Sequence, residues 1–275
     1  MRRAAVAGAF YEATRSKLIA QLEECFAGVR APEEGEEVDE RIIGAVVPHA
    51  GYMYSGGVAA HVYAKLPHAD TFIILGPNHY GLGSLVAASK ETWMTPLGSV
   101  EVDTAFLDAL PRRIIDIDET AHRHEHSIEV QLPFLQFRFD TSTFRFVPIC
   151  VALSDEDTAR EIGEDLADTI ARFKDEHKKF ILVASSDFTH YEPEHIAREK
   201  DEAVIEAITE LDIGKFYNRI FALNSSACGV GPIASVMYAA KKLGAKHGQL
   251  VKYATSGDVT GDRASVVGYG GIVIF

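Results

Sequence analysis

Hydrophobic runs rich in β-branched residues recur along the chain. They are near-continuous rather than alternating, and they lie at Ile42–Val47, Thr71–Leu75, Phe144–Val147, Phe180–Ala184 and Gly271–Phe275. Apolar runs of this length are typical of strands that are buried on both faces of a sheet. The pattern therefore predicts a central sheet that is covered on each side.

Apolar residues with helical spacing occupy the segments between these runs. Four such segments are Thr14–Phe26, a segment from a capping Ser154 to Phe173, Glu194–Leu211, and Gly231–Leu243 with Gly244 as C-cap. Strands that alternate with helices favour an α/β layered fold with a mixed, mainly parallel sheet. The polar stretch Arg30–Arg41 is typical of a solvated loop, and no repeat or composition shift marks a boundary. We expect a single domain over residues 1–275.

Charge and cysteine content narrow the classes of function. The 275 residues include 27 Lys and Arg against 40 Asp and Glu, a net charge of −13. An acidic surface repels phosphate backbones and anionic membranes, so neither nucleic acid nor a membrane is an expected partner. No apolar run approaches the roughly 18 residues that cross a bilayer. Three widely spaced cysteines do not form a disulfide framework, which fits a cytoplasmic protein.

Histidines follow three of the predicted strands in polar loops. His49 follows the first run, His79 follows the second, and Asp187 and His190 follow the fourth. Ligands of open α/β sheets bind outside the carboxyl ends of the strands, where such loops converge. Pro and Gly flank His49 and His79 and let the backbone approach a ligand closely. The remaining histidines in helical or polar segments are expected to be ordinary surface residues: His61, His68, His177, His195 and His247.

Cys228 lies just before the predicted helix that ends at Gly244. A helix N-terminus stabilises thiolate over thiol, so the sequence predicts a lowered pKa and a sulfur that can bind a metal or attack an electrophile. The alternative is a small buried hydrophobe, which is favoured for Cys25 and Cys150. Two His and one anionic ligand with open positions form the pattern of non-haem iron sites, and a thiolate broadens the accepted metals to zinc and copper.

Histidines are also dense in the segment 119–133. His122 and His126 lie one helical turn apart, but Arg123 stands where a zincin requires Glu, so a separate zinc protease site is not expected. We interpret the segment as an active-site loop that leads into a helix, in which Glu125 and His126 are expected to support the residues that bind the metal.

The loop after the fourth run leaves two choices open. His190 suits a general base, because neutral imidazole accepts a proton near pH 7. A hydrolase triad of Ser185 or Ser186 with His190 and Asp187 is the weaker alternative, since neither serine lies in a G-x-S-x-G motif. Asp187 either lines the pocket or caps the helix after Glu192.

Taken together, these motifs resemble the Memo (mediator of cell motility) family. The likeness is carried by blocks that follow one order over nearly the whole chain: Ala5–Tyr11, Val47–Gly56, Leu75–His79, Glu125–Glu129, Ser185–Tyr191 and Cys228–Gly229. The resemblance implies a fold shared with class III extradiol dioxygenases, which cleave catechol rings with Fe(II) held by two His and one Glu.

By position, the resemblance implies site roles. His49, His79 and Cys228 correspond to the metal ligands, and His190 to the catalytic base, with Asp187 in the same pocket. Cys228 stands where the ring-cleaving enzymes have Glu, and a thiolate oxidises readily, so ring cleavage does not transfer with the fold. The three residues expected to contact substrate are Tyr54, His126 and Phe10, the last in place of a pocket-wall Trp of the animal relatives. The alternative for Tyr54 and Phe10 is that they are aromatic residues of the core.

We therefore expect a metal-dependent redox enzyme of the non-haem iron type with catalytic His190 and Asp187. Fe(II) is the expected metal, with Zn or Cu as alternatives, and the substrate is left open. One alternative is a binding protein that captures a peptide or metabolite in a degenerate dioxygenase pocket without turnover. The other is a metal-handling or redox protein. A small-molecule or peptide ligand is expected, and protein partners are possible.

Overall fold

A computed structural model describes residues 1–29, 39–111, 113–173 and 177–275. Its strands are β1 Gly44–Val47, β2 Thr71–Pro77, β3 Val86–Ala88, β4 Trp93–Thr95, β5 Gly98–Val100, β6 Asp116–Ile117, β7 Arg145–Val151, β8 Phe180–Ser185, β9 His190–Glu192, β10 Gly248–Thr255 and β11 Val266–Ile274. Its α-helices are α1 Arg15–Phe26, α2 Tyr52–Lys65, α3 Thr104–Ala109, α4 Glu119–His122, α5 Leu132–Arg138, α6 Glu156–Arg172, α7 Glu194–Thr209, α8 Ile213–Ala222, α9 Val230–Lys242 and α10 Gly257–Thr260. Short 3₁₀ turns lie at Glu129–Gln131 and Thr141–Thr143.

One large sheet organises the molecule, in the order β10-β11-β1-β8-β2-β7-β3-β6, with β9 paired to β11. The four central strands β1, β8, β2 and β7 are parallel to one another, whereas β11 joins β1 and β3 joins β7 antiparallel. Every residue of β1, β2 and β8 is buried, as the continuous apolar runs predict for central strands. The predicted α/β fold with a mixed, mainly parallel sheet is confirmed.

Helices flank this sheet. Helix α9 packs on β1, β8, β2 and α6. Helix α2 packs on β1, β10, β11, α1 and α5. The parallel strands bring their carboxyl ends, and hence the loops that follow β1, β2 and β8, to one edge. No described helix is both long enough and apolar enough to cross a membrane.

The predicted helices at α1, α6, α7 and α9 are present, with small shifts at their ends. Asp155, not Ser154, caps α6, because its carboxylate accepts the Thr158 N–H at 2.9 Å. Gly244 follows α9 with φ +105°, which fits the predicted C-cap. Of the predicted loop Arg30–Arg41, residues 30–38 lie outside the described residues.

Helix α2 was not predicted, because its first turns carry the glycine-containing stretch that the sequence suggested as a loop. Packing explains the helix at this point. A Cβ at Gly56 would lie 2.5 Å from Cys25 Sγ, so the glycine lets α1 and α2 approach closely. Tertiary contact therefore overrides the low helix propensity of Gly56 and Gly57.

Candidate metal centre

His49 leaves β1 at the carboxyl edge and is almost completely buried. Its backbone N–H donates to Asp187 Oδ1 at 2.8 Å, and its ring Nδ1 lies 2.9 Å from Ser185 Oγ. The Ser185 hydroxyl donates its one proton to the Ser127 carbonyl at 2.7 Å, so Ser185 Oγ accepts from His49 Nδ1–H. This bond leaves His49 Nε2 as a lone-pair donor, the form in which imidazole binds metals.

His79 leaves β2 at the same edge and is held by Glu125. The backbone N–H and the ring Nδ1 of His79 donate to the Glu125 carboxylate at 2.7 and 2.9 Å. The N–H groups of His126 and Ser127 also donate to it, each at 2.8 Å. Burial alone would raise the pKa of Glu125, but these bonds and the charge of His79 lower it to about 2. Glu125 is therefore ionised and leaves His79 Nε2 free to coordinate.

His126 completes a cluster of imidazoles. Its ring stacks on that of His79 at 4.6 Å between centroids and lies 4.5 Å from the ring of Phe10. Burial lowers the pKa of His126 to about 4, so it is neutral near pH 7. Its buried Nδ1 has no hydrogen-bond partner within the described ranges and is 3.5 Å from Glu125 Oε1. One ligand atom from each of His49, His79 and His126 lies within 4.8 Å of the other two.

Cys228 adjoins this cluster without belonging to the set of three. Its Sγ lies 3.2 Å from His49 Nε2 and accepts the Asp187 N–H at 3.3 Å. Burial, and then the charge of Asp187, raise the pKa of the Cys228 thiol. The predicted lowering of this pKa is therefore wrong, because burial opposes the thiolate more strongly than the start of α9 favours it.

Asp187 and His190 come from the loop after β8. Asp187 is buried, and burial raises its pKa to about 6. Pro193 is the residue before α7, so Asp187 does not cap that helix. The His190 Nδ1 lies 3.0 Å from the Ser226 carbonyl, which only accepts, so Nδ1 carries the proton and Nε2 is unprotonated when the ring is neutral.

The serine hydrolase alternative has no support in this geometry. Ser185 and Ser186 are fully buried, and the Ser186 hydroxyl donates to the Asp187 carbonyl at 2.7 Å and accepts the Gly229 N–H at 2.9 Å. Neither hydroxyl contacts His190 within the part of the chain that the structure describes.

Of the predicted substrate residues, Phe10 lies against the ring of His126 in the histidine cluster. The carbonyl of Phe10 accepts the Tyr52 N–H that starts α2 at 2.8 Å. Tyr54 lies on α2 and is partly buried. Burial, then Asp187 and then Tyr54 raise the pKa of Tyr269, so these two groups act on the same buried phenol.

The N-terminal clamp, formed by Arg2, Tyr11 and Glu129, was not predicted. Arg2 is only 5% exposed, and its Nη1 lies 2.6 Å from Glu129 Oε2. Arg2 also donates to the carbonyls of His122 and Glu125 at 2.7 and 2.6 Å. Glu129 further accepts the Tyr11 hydroxyl at 2.7 Å and two backbone N–H groups of the N-terminal segment. The family blocks named above include Tyr11 and Glu129 but not Arg2, so the sequence signalled this contact only in part.

The centre has a charge balance that suits a cation. Glu125 and Asp187 are buried, and among the described residues neither forms an ion pair with Lys or Arg. Their neighbours are imidazoles, two of which have pKa values lowered by burial. Buried carboxylates without a fixed cation are costly unless a metal or another positive group compensates them.

The fold and the site thus define an α/β protein with a histidine cluster at the carboxyl edge of its sheet, in which His49 is buried, His126 is half-buried and His79 is exposed. The family model described as Memo-like protein matches residues 2–273, so the chain belongs to the Memo family. A MEMO1 family protein of Methanosarcina barkeri is 51% identical over 275 residues, covering 100% of each chain. Another from Methanocaldococcus jannaschii is 43% identical over 286 residues, covering 100% of this chain and 99% of the relative.

The likeness to a solved structure concerns the fold alone. The crystal structure of an uncharacterized protein from Escherichia coli K12 matches with a TM-score of 0.53 and 12% identity. The match covers 84% of this chain and 99% of that chain.

Proposed function

We propose that this protein is a metal-dependent redox enzyme of the non-haem iron type, with Fe(II) as its metal and Zn or Cu as alternatives. The observation that carries the proposal is the meeting of ligand atoms of His49, His79 and His126 within 4.8 Å, with Cys228 Sγ 3.2 Å from His49 Nε2. The Nδ1 atoms of His49 and His79 are engaged by Ser185 and Glu125, which orients both Nε2 atoms as ligands.

The proposed ligands are His49, His79 and Cys228, with His126 as the alternative third ligand. Cys228 Sγ is in contact with His49 Nε2, and it supplies the anionic donor of a two-His site. The raised pKa of the thiol does not exclude this role, because a coordinating thiol loses its proton to the metal. In this arrangement His126 and Phe10 form the wall against which substrate lies.

When bound, the metal would supply oxygen activation and Lewis acidity. His190 would accept a proton at Nε2, since its Nδ1–H is fixed by the Ser226 carbonyl. Asp187 holds the His49 backbone and, with a pKa raised to about 6, can exchange a proton near neutral pH. Tyr54 contributes to the pocket from α2, and a small molecule or peptide would fill the open positions.

The test is metal content after loading with Fe(II) without oxygen. His49→Ala and His79→Ala should each abolish stoichiometric metal, and an unchanged circular dichroism spectrum would show that each variant retains the fold. His61→Ala, on α2 with its Nδ1 bonded to the Gly57 carbonyl, is the matched control and should keep full metal content. Unchanged metal content in both site variants would overturn the ligand assignment.

A non-catalytic binding protein is the second candidate, and a metal-handling or redox protein the third. The contact between Cys228 and His49 favours the latter, because soft sulfur and imidazole together suit copper. Measuring oxygen uptake by the metal-loaded protein with candidate catechols distinguishes the three candidate functions. Binding of catechols without oxygen consumption favours the binding protein, whereas tight copper binding with reversible Cys228 oxidation favours metal handling.

A further inference from the structure

Tyr191 occupies a β-bulge directly after His190. In the pairing of β9 with β11, Val267 is opposite His190 and Val266 is opposite Glu192, so two residues of β11 face three of β9. Tyr191 is the extra residue, and its φ is +60°. Glycine is the usual residue where a bulge requires a left-handed backbone, and bulges beside active sites re-aim a side chain.

The other described non-glycine residues with positive φ have ordinary explanations. Leu211 and Asn224 follow the C-caps of α7 and α8, where left-handed residues commonly end helices. His177 lies in an exposed turn before β8. Tyr191 alone of these four lies within a strand, and a β-carbon is disfavoured in this conformation. A strained residue beside a site indicates a requirement for its side chain.

Packing does not explain that requirement, because the Tyr191 side chain is hardly buried. The residue is 78% exposed, and its ring meets that of His190 edge-on at 5.8 Å between centroids. Tyr191 is also among the groups that raise the pKa of Tyr269, together with Asp187 and Tyr54. Tyr191 therefore lies close to His190 and Tyr269, and most of its side chain is open to solvent.

We propose that Tyr191 is a specificity-determining residue that stacks on an aromatic part of the substrate at the mouth of the metal site. The bulge places the ring next to His190, so a planar ligand that reaches the metal would lie against it. This inference deepens the proposed function and rests on it.

The experiment compares two probes on the Fe(II)-loaded protein without oxygen. One is a nitrocatechol, whose absorbance reports binding, and the other is nitric oxide, which reaches the metal but has no ring. Tyr191→Asn should weaken nitrocatechol binding about three- to tenfold, the range expected for one aromatic stack. Nitric oxide binding and its electron paramagnetic resonance signal should not change. Tyr191→Phe keeps the ring and should bind the nitrocatechol within about twofold of wild type.

A stability measurement distinguishes a functional ring from a structural one. Asn tolerates the left-handed conformation, so Tyr191→Asn should leave Tm unchanged or raise it by roughly 2–4 °C. His177→Asn is the matched control, because it relieves the same kind of left-handed backbone strain far from the metal site. It should not change the binding of either probe. Equal nitrocatechol affinity in wild type and Tyr191→Asn, a lowered Tm, or an equal loss in Tyr191→Phe would overturn the role of Tyr191. If wild-type protein binds nitrocatechol only when it is free of metal, or does not bind nitrocatechol at all, the proposed function is overturned and this inference with it.

Discussion

Two buried glutamates four residues apart have opposite surroundings. Glu129 belongs to the N-terminal clamp, where the Arg2 guanidinium lies 2.6 Å from its carboxylate. Glu125 belongs to the proposed metal centre, where its carboxylate accepts from His79, a side chain that is charged only when protonated. Both carboxylates accept several hydrogen bonds, so the number of bonds does not distinguish them.

The difference lies in where the compensating positive charge comes from. The charge of Glu129 is balanced within the chain by a permanently charged side chain. Glu125 transmits its charge through the imidazole of His79 to a nitrogen that can bind a metal. A buried carboxylate balanced by Arg therefore indicates a structural role, and one balanced only by imidazoles indicates a binding role.

The largest expected effect is a loss of stability when the N-terminal clamp is broken at Glu129. Glu129→Ala leaves the Arg2 charge buried without a carboxylate to balance it, which should lower the free energy of unfolding by about 3–5 kcal/mol. Urea denaturation measures this loss, and the exposed Glu23→Ala should stay within about 0.5 kcal/mol of wild type. A loss as small as that of Glu23→Ala would contradict the structural role of Glu129.

A smaller effect is expected at the centre, on metal affinity. Glu125→Gln removes the charge that orients and polarises His79, and loss of such an outer partner weakens metal binding about 10- to 100-fold. Titration with Zn²⁺ against a chromophoric chelator measures the change. Affinity equal to wild type would show that Glu125 does not support the ligand.

The smallest effect concerns pH. Burial lowers the pKa of His122, beside the clamp, to about 4, below the unfolded value of about 6.5. The unfolded chain thus binds this proton first as pH falls, so the stability present above pH 6.5 declines toward pH 4. Between pH 7.5 and 5.5, protonation of His122 in the unfolded chain should lower the free energy of unfolding by about 1 kcal/mol.

His122→Gln removes this titrating group, so the variant shows how much of the pH-dependent loss of stability is due to His122. The fall in the free energy of unfolding between the two pH values should be about 1 kcal/mol smaller in the variant than in wild type. Identical falls would mean that His122 is protonated equally in both states.

The sequence predicted the parts of the molecule that local patterns determine. The runs that became β1, β2 and β8 are continuous because these strands are covered on both faces, and their ends locate His49 and His79. The loops converge at the carboxyl edge because the strands pair in parallel, so the approximate position of the centre could also be predicted from the sequence.

Long-range contacts were not accessible in the same way. Arg2 appears in the sequence as part of a charged N-terminal pair, and its burial depends on a partner 127 residues away. The stacking of His126 on His79 likewise depends on how Glu125 gathers three backbone N–H groups. The pKa of Cys228 was misjudged because a helix start is visible in sequence, whereas the depth of burial is not.

The bond between His49 and Ser185 gives the centre a natural spectroscopic reporter. The ring proton on His49 Nδ1 is enclosed beneath a hydroxyl that has already donated to Ser127, so solvent has little access to it. A ring proton held in this way is expected to exchange slowly with water and to give a separate downfield resonance. The occupancy of the opposite ring nitrogen would move that resonance, so one signal follows events at the centre in the intact protein.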